Sequence, residues 1–203
     1  MQMDKSLSKA ERTRQFIIET ASPLFNKKGY EGTSMSDITE ATGLTKGSIY
    51  GNFANKEEIA IAVYDYNTDK ILRHIGQRIA AETKYYDKLL VYTKIYDQVA
   101  GKVFPDGGCP ILNTCVDADD TNPALKQRAA RTIQQWKKQI TDLVEAGIQA
   151  GEFTADIDPA QLALSMIALI EGGVMIYKIT HSATSLDKIL QTVEQLLKGI
   201  KKR

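Results

Sequence analysis

The stretch TGLTKGSIYGNF, residues 42–53, decides how the fold of this chain is interpreted. Ile49 and Phe53 lie four residues apart and form the single apolar side of a short helix. Gly47 and Gly51 fall within the same helix, where each costs about 1 kcal/mol relative to alanine. A helix this short and this weak is not stable alone, so it must be held by packing against neighbouring helices.

Two helices are predicted before this stretch. The first runs from about Lys9 to Lys28 and ends at Gly29, a residue common at that position. The second begins after Ser34, which can act as N-cap while Asp37 completes a capping box, and it ends at Gly43. The apolar stripe of the first helix comprises Phe16, Ile17, Ala21, Leu24 and Phe25.

The helix that follows the stretch is much longer. Thr45 is predicted to cap the short helix, and Asn55 with Glu58 to cap the next, which extends from Lys56 towards Ala81. Two short helices joined by a tight glycine turn and braced by a longer helix are the arrangement of a helix-turn-helix. In that motif the second short helix lies in the major groove of DNA.

One face of the short helix suits DNA. It offers hydroxyl, amide and ammonium groups that can bond phosphate oxygens and base edges, and these belong to Thr45, Lys46, Ser48, Tyr50 and Asn52. Gly47 would allow the helix backbone to approach the DNA closely. Such a cluster is more often an ordinary solvated helix face, and the nearly neutral charge of residues 1–57 does not favour DNA.

A longer match supports the DNA-binding interpretation. Residues 12–59 closely resemble the N-terminal DNA-binding domain of the tetracycline-repressor (TetR) family of bacterial transcriptional regulators, through the segments LFNKKGYEGTSM, DITEATGLTKGSIYGNF and NKEE. The resemblance implies an all-α homodimer that binds a double-stranded DNA operator. Its three-helix helix-turn-helix DNA-binding domain would be residues 1–55, and a helical ligand-binding and dimerisation bundle would be residues 56–203.

The resemblance also assigns roles to particular residues. Thr33 and Ser34 match phosphate-contacting positions, and Lys56 matches a phosphate-binding lysine at the start of the fourth helix. The recognition helix is matched by Thr45, Lys46, Gly47, Ser48, Tyr50 and Asn52. Gly51 departs from the family, which usually carries a larger residue there, and this departure leaves the operator preference open.

Composition argues against several other classes of protein. A hydrophobic content of 43% and a net charge of +1 are ordinary for a globular protein with a sizeable core. The polar start lacks a signal-peptide pattern, and the most apolar stretch, residues 162–177, is short for a bilayer span and contains Glu171. Two cysteines do not make a disulfide framework. We therefore expect a cytoplasmic protein with no membrane partner.

The sequence carries no pattern typical of a catalytic or metal site. It has no nucleophile elbow and no phosphate loop, and neither His74 nor His181 has neighbours at metal-ligand spacing. We therefore expect no enzyme activity, no metal and no cofactor.

The rest of the chain is also predicted to be helical. Helical patterns cover about residues 85–103, 123–149, 159–180 and 185–202, without a convincing strand. The last two are the dimerisation helices expected from the resemblance. Their apolar surfaces comprise Leu162, Met166, Leu169, Ile170, Val174, Tyr177, Leu186, Ile189, Leu190, Val193 and Leu197. The alternative is that these surfaces pack only within the protomer.

A small-molecule pocket is expected in the larger part of the chain. Apolar walls with a few polar groups between bundle helices are typical of ligand sites. The candidates are Tyr92, Tyr96, Phe104, Cys109, Asn113, Asp117 and Trp136, although each could equally belong to the ordinary core. With this pocket the chain is predicted to be a ligand-responsive repressor, which binds a palindromic operator as a dimer and is released by an unidentified small-molecule effector.

The two cysteines allow an alternative hypothesis. Cys109 and Cys115 lie six residues apart around an apolar run, so the alternative function is a thiol-responsive regulator of the same fold, switched by a reversible disulfide. Cysteine is commonly just a small buried apolar residue, and in that case neither Cys109 nor Cys115 would have a redox role.

Overall fold

The structure is a computed structural model that describes residues 8–96 and 104–202, and these residues form nine α-helices. The helices are α1 (Lys9–Lys28), α2 (Met35–Thr42), α3 (Lys46–Tyr50), α4 (Lys56–Ala81), α5 (Tyr85–Lys94), α6 (Pro110–Ala118), α7 (Pro123–Gln149), α8 (Pro159–Thr180) and α9 (Ala183–Gly199). Within the described residues the only β-type pairing is an isolated bridge between Phe153 and Lys201. The all-α prediction is confirmed.

Most predicted helices are confirmed, and one was missed. The helix predicted over about 85–103 is present as α5 but ends earlier, at Lys94, and is followed by a turn at Ile95 and Tyr96. Residues 97–103 lie outside the described part of the chain. Helix α6 lies outside the predicted helical ranges, and the sequence indicated it only as an apolar run between Cys109 and Cys115 that could begin a helix. It is short, and its N-cap residue, Cys109, makes no side-chain capping bond. Because it follows Pro105 and two glycines, which are typical of loops, the sequence indicated a long loop there.

Packing divides the chain into two compact units. The described residues of 1–69 and 105–129 form the first unit, and those of 70–104 and 130–203 form the second. Helices α4 and α7 each contribute residues to both units.

The first unit is organised by helix caps and a small apolar core. Ser34 and Asp37 cap α2 reciprocally, and Gly43 ends it in the left-handed conformation with φ 67°. Ile17, Ala21, Ile38, Ile49 and Ile59 are fully or almost fully buried in the core. Phe16, predicted to lie in the apolar stripe of α1, is instead 43% exposed, because α1 buries Ile17 and Ile18.

The second unit packs α9 against both α5 and α8. Gly173 of α8 allows the close approach of α9, because a Cβ there would lie 3.1 Å from Leu186 and 3.2 Å from Ile189. By length and a mean hydropathy of 1.7, α8 could also cross a membrane. Its burial of Met166 and Ile170 within this unit is what a core helix of a folded bundle does.

Candidate nucleic-acid interface

Helix α3 is a single turn held by the first unit. Thr45 caps it by accepting a hydrogen bond from the backbone N–H of Ser48 at 3.2 Å. Ile49 is fully buried and Phe53 is 2% exposed, and both belong to the core of this unit. The predicted apolar side of the helix is therefore confirmed, and packing supplies the stability that so short a helix lacks.

The other side of α3 faces solvent. Thr45, Lys46 and Gly47 are exposed, and the Tyr50 side chain is 49% exposed, which is unusual for an aromatic residue beside a core. Ser48 and Asn52 are half-buried. The Asn52 amide donates to the Ser48 carbonyl at 2.9 Å, so part of its hydrogen-bonding capacity is used inside the motif.

Gly47 lies inside α3, whereas Gly51, predicted to lie inside it, is the residue that caps its C-terminus. A Cβ at Gly47 would find only the Thr45 hydroxyl, 4.0 Å away, so nothing inside the protein requires glycine there. A Cβ at Gly51 would make ordinary contacts of 3.4 Å and 3.5 Å with the carbonyls of Gly47 and Ser48. Gly51 also has an ordinary helical backbone, with φ −72°. The fold therefore permits alanine at both positions.

Arg14 of α1 holds the end of α3 in place. Its guanidinium donates to the backbone carbonyl of Asn52 and, at 2.7 Å, to the Glu58 carboxylate. The same group lies over the Phe53 ring, 3.9 Å from its centre. Glu58 in turn accepts a bond from the Ala54 N–H at 2.7 Å, and this bond together with Arg14 lowers its pKa. Three helices are thereby tied at the point where α3 ends.

The sequence did not reveal this role of Arg14, which is a functional candidate that the motif comparison missed. Arg14 and Asn52 are 38 residues apart, so no local spacing links them. The one available signal was a cation on the inner part of an amphipathic helix, which is not specific.

The two positions matched to phosphate contacts before α2 differ sharply. Thr33 is fully buried, and its hydroxyl donates to the Gly29 carbonyl at 2.7 Å. A buried hydroxyl has no surface to offer a phosphate, so we correct its assignment to a structural role. Ser34 is exposed at the N-terminus of α2, where the helix dipole favours an anion.

Asp37 controls the geometry around Ser34. Its carboxylate accepts a hydrogen bond from Lys28 at 2.6 Å and from the Ser34 backbone N–H at 2.8 Å. These bonds, with Lys28 contributing most, hold the pKa of Asp37 well below its usual range.

Lys56, matched to a phosphate-binding lysine, is engaged with Tyr30. Its ammonium donates to the Tyr30 carbonyl at 2.9 Å and lies 4.1 Å from the centre of the Tyr30 ring. Because both contacts fix the side chain at the start of α4, any phosphate bound there would meet an ammonium that is already positioned.

The predicted pocket residues fall into two groups, one in each unit. Cys109, Asn113 and Asp117 belong to the first unit, where Asn113 and Asp117 line a cavity. The second unit contains two aromatic pairs, Tyr92 with Trp136 and Tyr96 with Phe104, whose ring centres are 6.3 Å and 5.1 Å apart. Among the described residues, the Tyr92 hydroxyl and the Trp136 N–H are buried without a hydrogen-bond partner.

Most of the residues predicted to form the dimer interface are already buried within the single chain. Met166, Ile170, Val174, Leu186, Leu190, Val193 and Leu197 are buried there. Leu162, Leu169, Tyr177 and Ile189 are half-buried. A different apolar stripe of α8 faces solvent at helical spacing, and it comprises Leu164, Ala168, Met175, Ile176 and Ile179. Gly172 lies on the same stripe, and a Cβ there would meet nothing in the protomer.

Comparison with known proteins gives a consistent result. Residues 17–63 match the family described as "Bacterial regulatory proteins, tetR family", and residues 86–193 match the "Tetracyclin repressor-like, C-terminal domain". A TetR-family transcriptional regulator from Cytophaga hutchinsonii has a similar crystal structure, with a TM-score of 0.94 and 48% identity over 98% of this chain and 100% of that one.

Two further proteins extend the comparison. The transcriptional repressor DhaR of Mycobacterium sp. (strain GP1) is 27% identical over 91% of each chain. A cysteine mutant of the TetR-family regulator CifR, solved with a 26-base-pair operator DNA, shares the fold, with a TM-score of 0.76 and 18% identity over 92% of this chain and 95% of that one. These relatives are transcriptional regulators rather than enzymes. With two family matches over most of its length, the chain belongs to the TetR family of bacterial transcriptional regulators.

Proposed function

We propose that this regulator is a repressor that reads DNA with the exposed side of α3. The observation that carries the proposal is the division of α3 into a side anchored by Ile49 and Phe53 and a side left open at Lys46, Gly47 and Tyr50. The proposed contact residues are Ser34, Thr45, Lys46, Gly47, Ser48, Tyr50, Asn52 and Lys56. Thr33 is left out because its hydroxyl is buried and bonded.

The repressor is proposed to act as a homodimer on a palindromic operator, because the two identical DNA-binding domains of a homodimer match the two half-sites of a two-fold symmetric operator. The exposed apolar stripe of α8, in which Ile179 is 76% exposed, supports this assembly. Monomeric proteins rarely expose large contiguous apolar patches. Leu196 of α9 is a further large apolar side chain that is exposed, at 39%. Open Gly172 would let a partner helix approach closely.

The proposed effector is a small molecule that binds in the cytoplasm and releases the repressor from its operator. Support comes from the unpartnered Tyr92 hydroxyl and Trp136 N–H, because buried polar groups in folded proteins nearly always have a partner. Both groups can donate a hydrogen bond. An uncharged aromatic or apolar effector with a hydrogen-bond acceptor would satisfy them and stack against the same rings.

A switch based on a disulfide between Cys109 and Cys115 is less well supported by the geometry. Six residues of α-helix separate Cα atoms by about 9 Å along the axis, whereas a disulfide requires about 7 Å or less. Because Cys109 is the N-cap of α6 and Cys115 lies within it, the bond would require α6 to unwind.

Selection from fragments of its own genome tests the proposal. The full-length protein should enrich a small number of fragments, and fluorescence anisotropy should then give tight binding that excess random DNA does not compete away. Tyr50→Ala should weaken binding to the enriched fragment. Phe16→Ala is the matched control, since Phe16 is an aromatic residue of similar exposure on α1. Equal binding to enriched and random DNA would refute the proposal.

A further inference from the structure

Asp117, near the end of α6, bonds to the turn that follows α1. One of its carboxylate oxygens accepts a hydrogen bond from the Tyr30 backbone N–H at 2.6 Å. Asp117 lies in the range 86–193 that matches the C-terminal family domain, and Tyr30 lies in the range 17–63 that matches the N-terminal one. Within the first unit, this bond therefore links the two parts of the chain that the family treats as separate domains.

Tyr30 in turn contacts Lys56, one of the proposed phosphate contacts. The Tyr30 carbonyl accepts a hydrogen bond from the Lys56 ammonium at 2.9 Å, and the Tyr30 ring lies 4.1 Å from the same ammonium. The Tyr30 side chain also has a hydrogen bond with Asn122, which precedes α7. The backbone N–H, the carbonyl and the side chain of Tyr30 are thus each engaged, and the residues that hold it from the C-terminal match are Asp117 and Asn122.

The turn after α1 needs a restraint from outside. Gly29 ends α1 with φ 74°, in the region that favours glycine, and glycine leaves the backbone its greatest freedom. Glycine is also required there by Asp117, because a Cβ would lie 2.2 Å from the second carboxylate oxygen. A hydrogen bond from a backbone N–H to a carboxylate is among the stronger kinds. The bond to Asp117 therefore limits rotation beside Gly29 and fixes the direction of the Tyr30 carbonyl and ring.

The Lys56 ammonium gains from this restraint. An ammonium has three donors, so the bond to the Tyr30 carbonyl leaves up to two for a phosphate. A lysine side chain loses much rotamer freedom when it is fixed, and positioning it before DNA arrives lowers the cost of binding. We propose that Asp117 is a positioning residue for DNA binding, which fixes Tyr30 and thereby holds the Lys56 ammonium ready for an operator phosphate. This inference rests on the proposed function, because it takes Lys56 as a phosphate contact.

Asp117→Ala, which removes the acceptor, tests the proposal in the full-length protein. Anisotropy titrations on the enriched operator fragment are repeated over a range of salt concentrations. We expect operator affinity to fall about fivefold and the salt slope to decrease by up to about one unit, because one phosphate contact is weakened. Unchanged affinity and slope in Asp117→Ala would overturn the proposal.

Two control variants separate the hydrogen bond from the charge. Asp117→Asn removes the same charge but keeps an oxygen that can accept from the Tyr30 N–H, so it should retain most of the wild-type affinity and slope. Asp119→Ala removes an exposed acid from the end of the same helix and should leave both unchanged. If the alanine and asparagine variants at 117 lose affinity equally, the acceptor is not what positions Lys56 and the proposal is wrong.

A Lys56→Gln background shows whether Asp117 acts through Lys56. Lys56→Gln alone should lower operator affinity and reduce the salt slope by about one unit. Asp117→Ala added to it should change affinity by less than about twofold, because the contact that Asp117 positions is already gone. A merely structural role would lower affinity equally in both backgrounds, and that result would overturn the proposal.

Circular dichroism melts establish that each variant is folded at the assay temperature. Asp117→Leu, which is similar in shape and has no acceptor, replaces the alanine variant if that variant is unfolded there. Absence of specific binding by the wild-type protein would refute the proposed function itself. Specific binding that Lys56→Gln weakens and Asp117→Ala does not would refute this inference alone. A lack of effect of Lys56→Gln would also overturn it, because no phosphate contact would be left to position.

Discussion

The guanidinium of Arg14 rests on the Phe53 ring, 3.9 Å from its centre, while bonding the carbonyl of Asn52 beside it. Arg14 therefore contacts the residues that follow the C-terminal end of α3. Through these contacts Arg14 can fix the orientation of α3, the proposed recognition helix, without itself contacting DNA.

Arg14→Gln should lower specific operator affinity about tenfold, equivalent to about 1.4 kcal/mol, because α3 loses its fixed end. The salt dependence of binding should stay the same, since no phosphate contact is removed. Both are measured by anisotropy titrations over a range of salt concentrations. Lys9→Gln removes a charge from the same helix and should leave specific affinity unchanged. A salt slope reduced by about one unit in Arg14→Gln would indicate a direct phosphate contact instead.

Gly47→Ala should separate stability from DNA binding. The open space around Gly47 accepts a methyl group, and alanine favours helix, so the free energy of unfolding should rise by up to about 1 kcal/mol. Operator affinity should fall about tenfold if the α3 backbone approaches DNA there. Urea unfolding and anisotropy measure the two quantities.

Gly51→Ala is the matched control for this experiment, because it adds the same methyl group at the residue that caps the C-terminus of α3, with ordinary contacts. It should stabilise the protein and leave operator affinity close to that of wild type. If the two substitutions lower operator affinity equally, the hypothesis that Gly47 allows the α3 backbone to approach DNA closely is wrong.

Asp37 should make the stability of the first unit depend on pH. Its pKa is lowered in the folded state, so its contribution is fully present above the unfolded value of about 3.9. It is lost as the pH falls through the lower folded value. Asp37→Asn should therefore melt at a lower temperature than wild type at pH 7, and the difference should shrink in acid.

Thermal melts followed by circular dichroism at several pH values measure this effect. Asp156→Asn is the control, because Asp156 lies in an exposed turn outside the helices. It should change the melting temperature little at any pH. A gap between wild type and Asp37→Asn that stays constant into acid would show that the Lys28 and Ser34 bonds do not depend on the charge.

Ile179→Glu should disrupt the proposed dimer by placing a charge on the exposed stripe of α8. We expect the dimer dissociation constant to rise about tenfold or more, as measured by analytical ultracentrifugation. Val116→Glu introduces the same charge at a similarly exposed apolar residue of α6 and should leave the assembly unchanged. A dimer that tolerates glutamate at 179 would place the interface elsewhere.

Local sequence patterns predicted the helices of this protein well, because their signals are local. The bonds that Ser34, Asp37 and Thr45 make as caps involve residues only three positions away, which a sequence displays directly. Helix α6 lacked such a signal, and its role depends on contacts such as that of Asp117 with Tyr30, 87 residues away.

The family resemblance assigned roles to particular residues, but it gave no information about whether each side chain is buried. Thr33 matched a phosphate-contacting position, yet whether its hydroxyl faces solvent or the Gly29 carbonyl depends on how the end of α1 turns. The apolar surfaces of α8 present a similar difficulty. This helix is apolar on most sides, so periodicity could not tell which stripe packs on α9 and which stays exposed.

The stacked pair of Tyr92 and Trp136 gives the protein a built-in optical probe. Trp136 is the only tryptophan in the chain, and it is 5% exposed within the second unit. Its fluorescence therefore follows the loss of structure in that unit alone, whereas far-ultraviolet circular dichroism follows helices in both. Unfolding curves recorded with the two signals would coincide if the units melt as one cooperative body, and would separate if they do not.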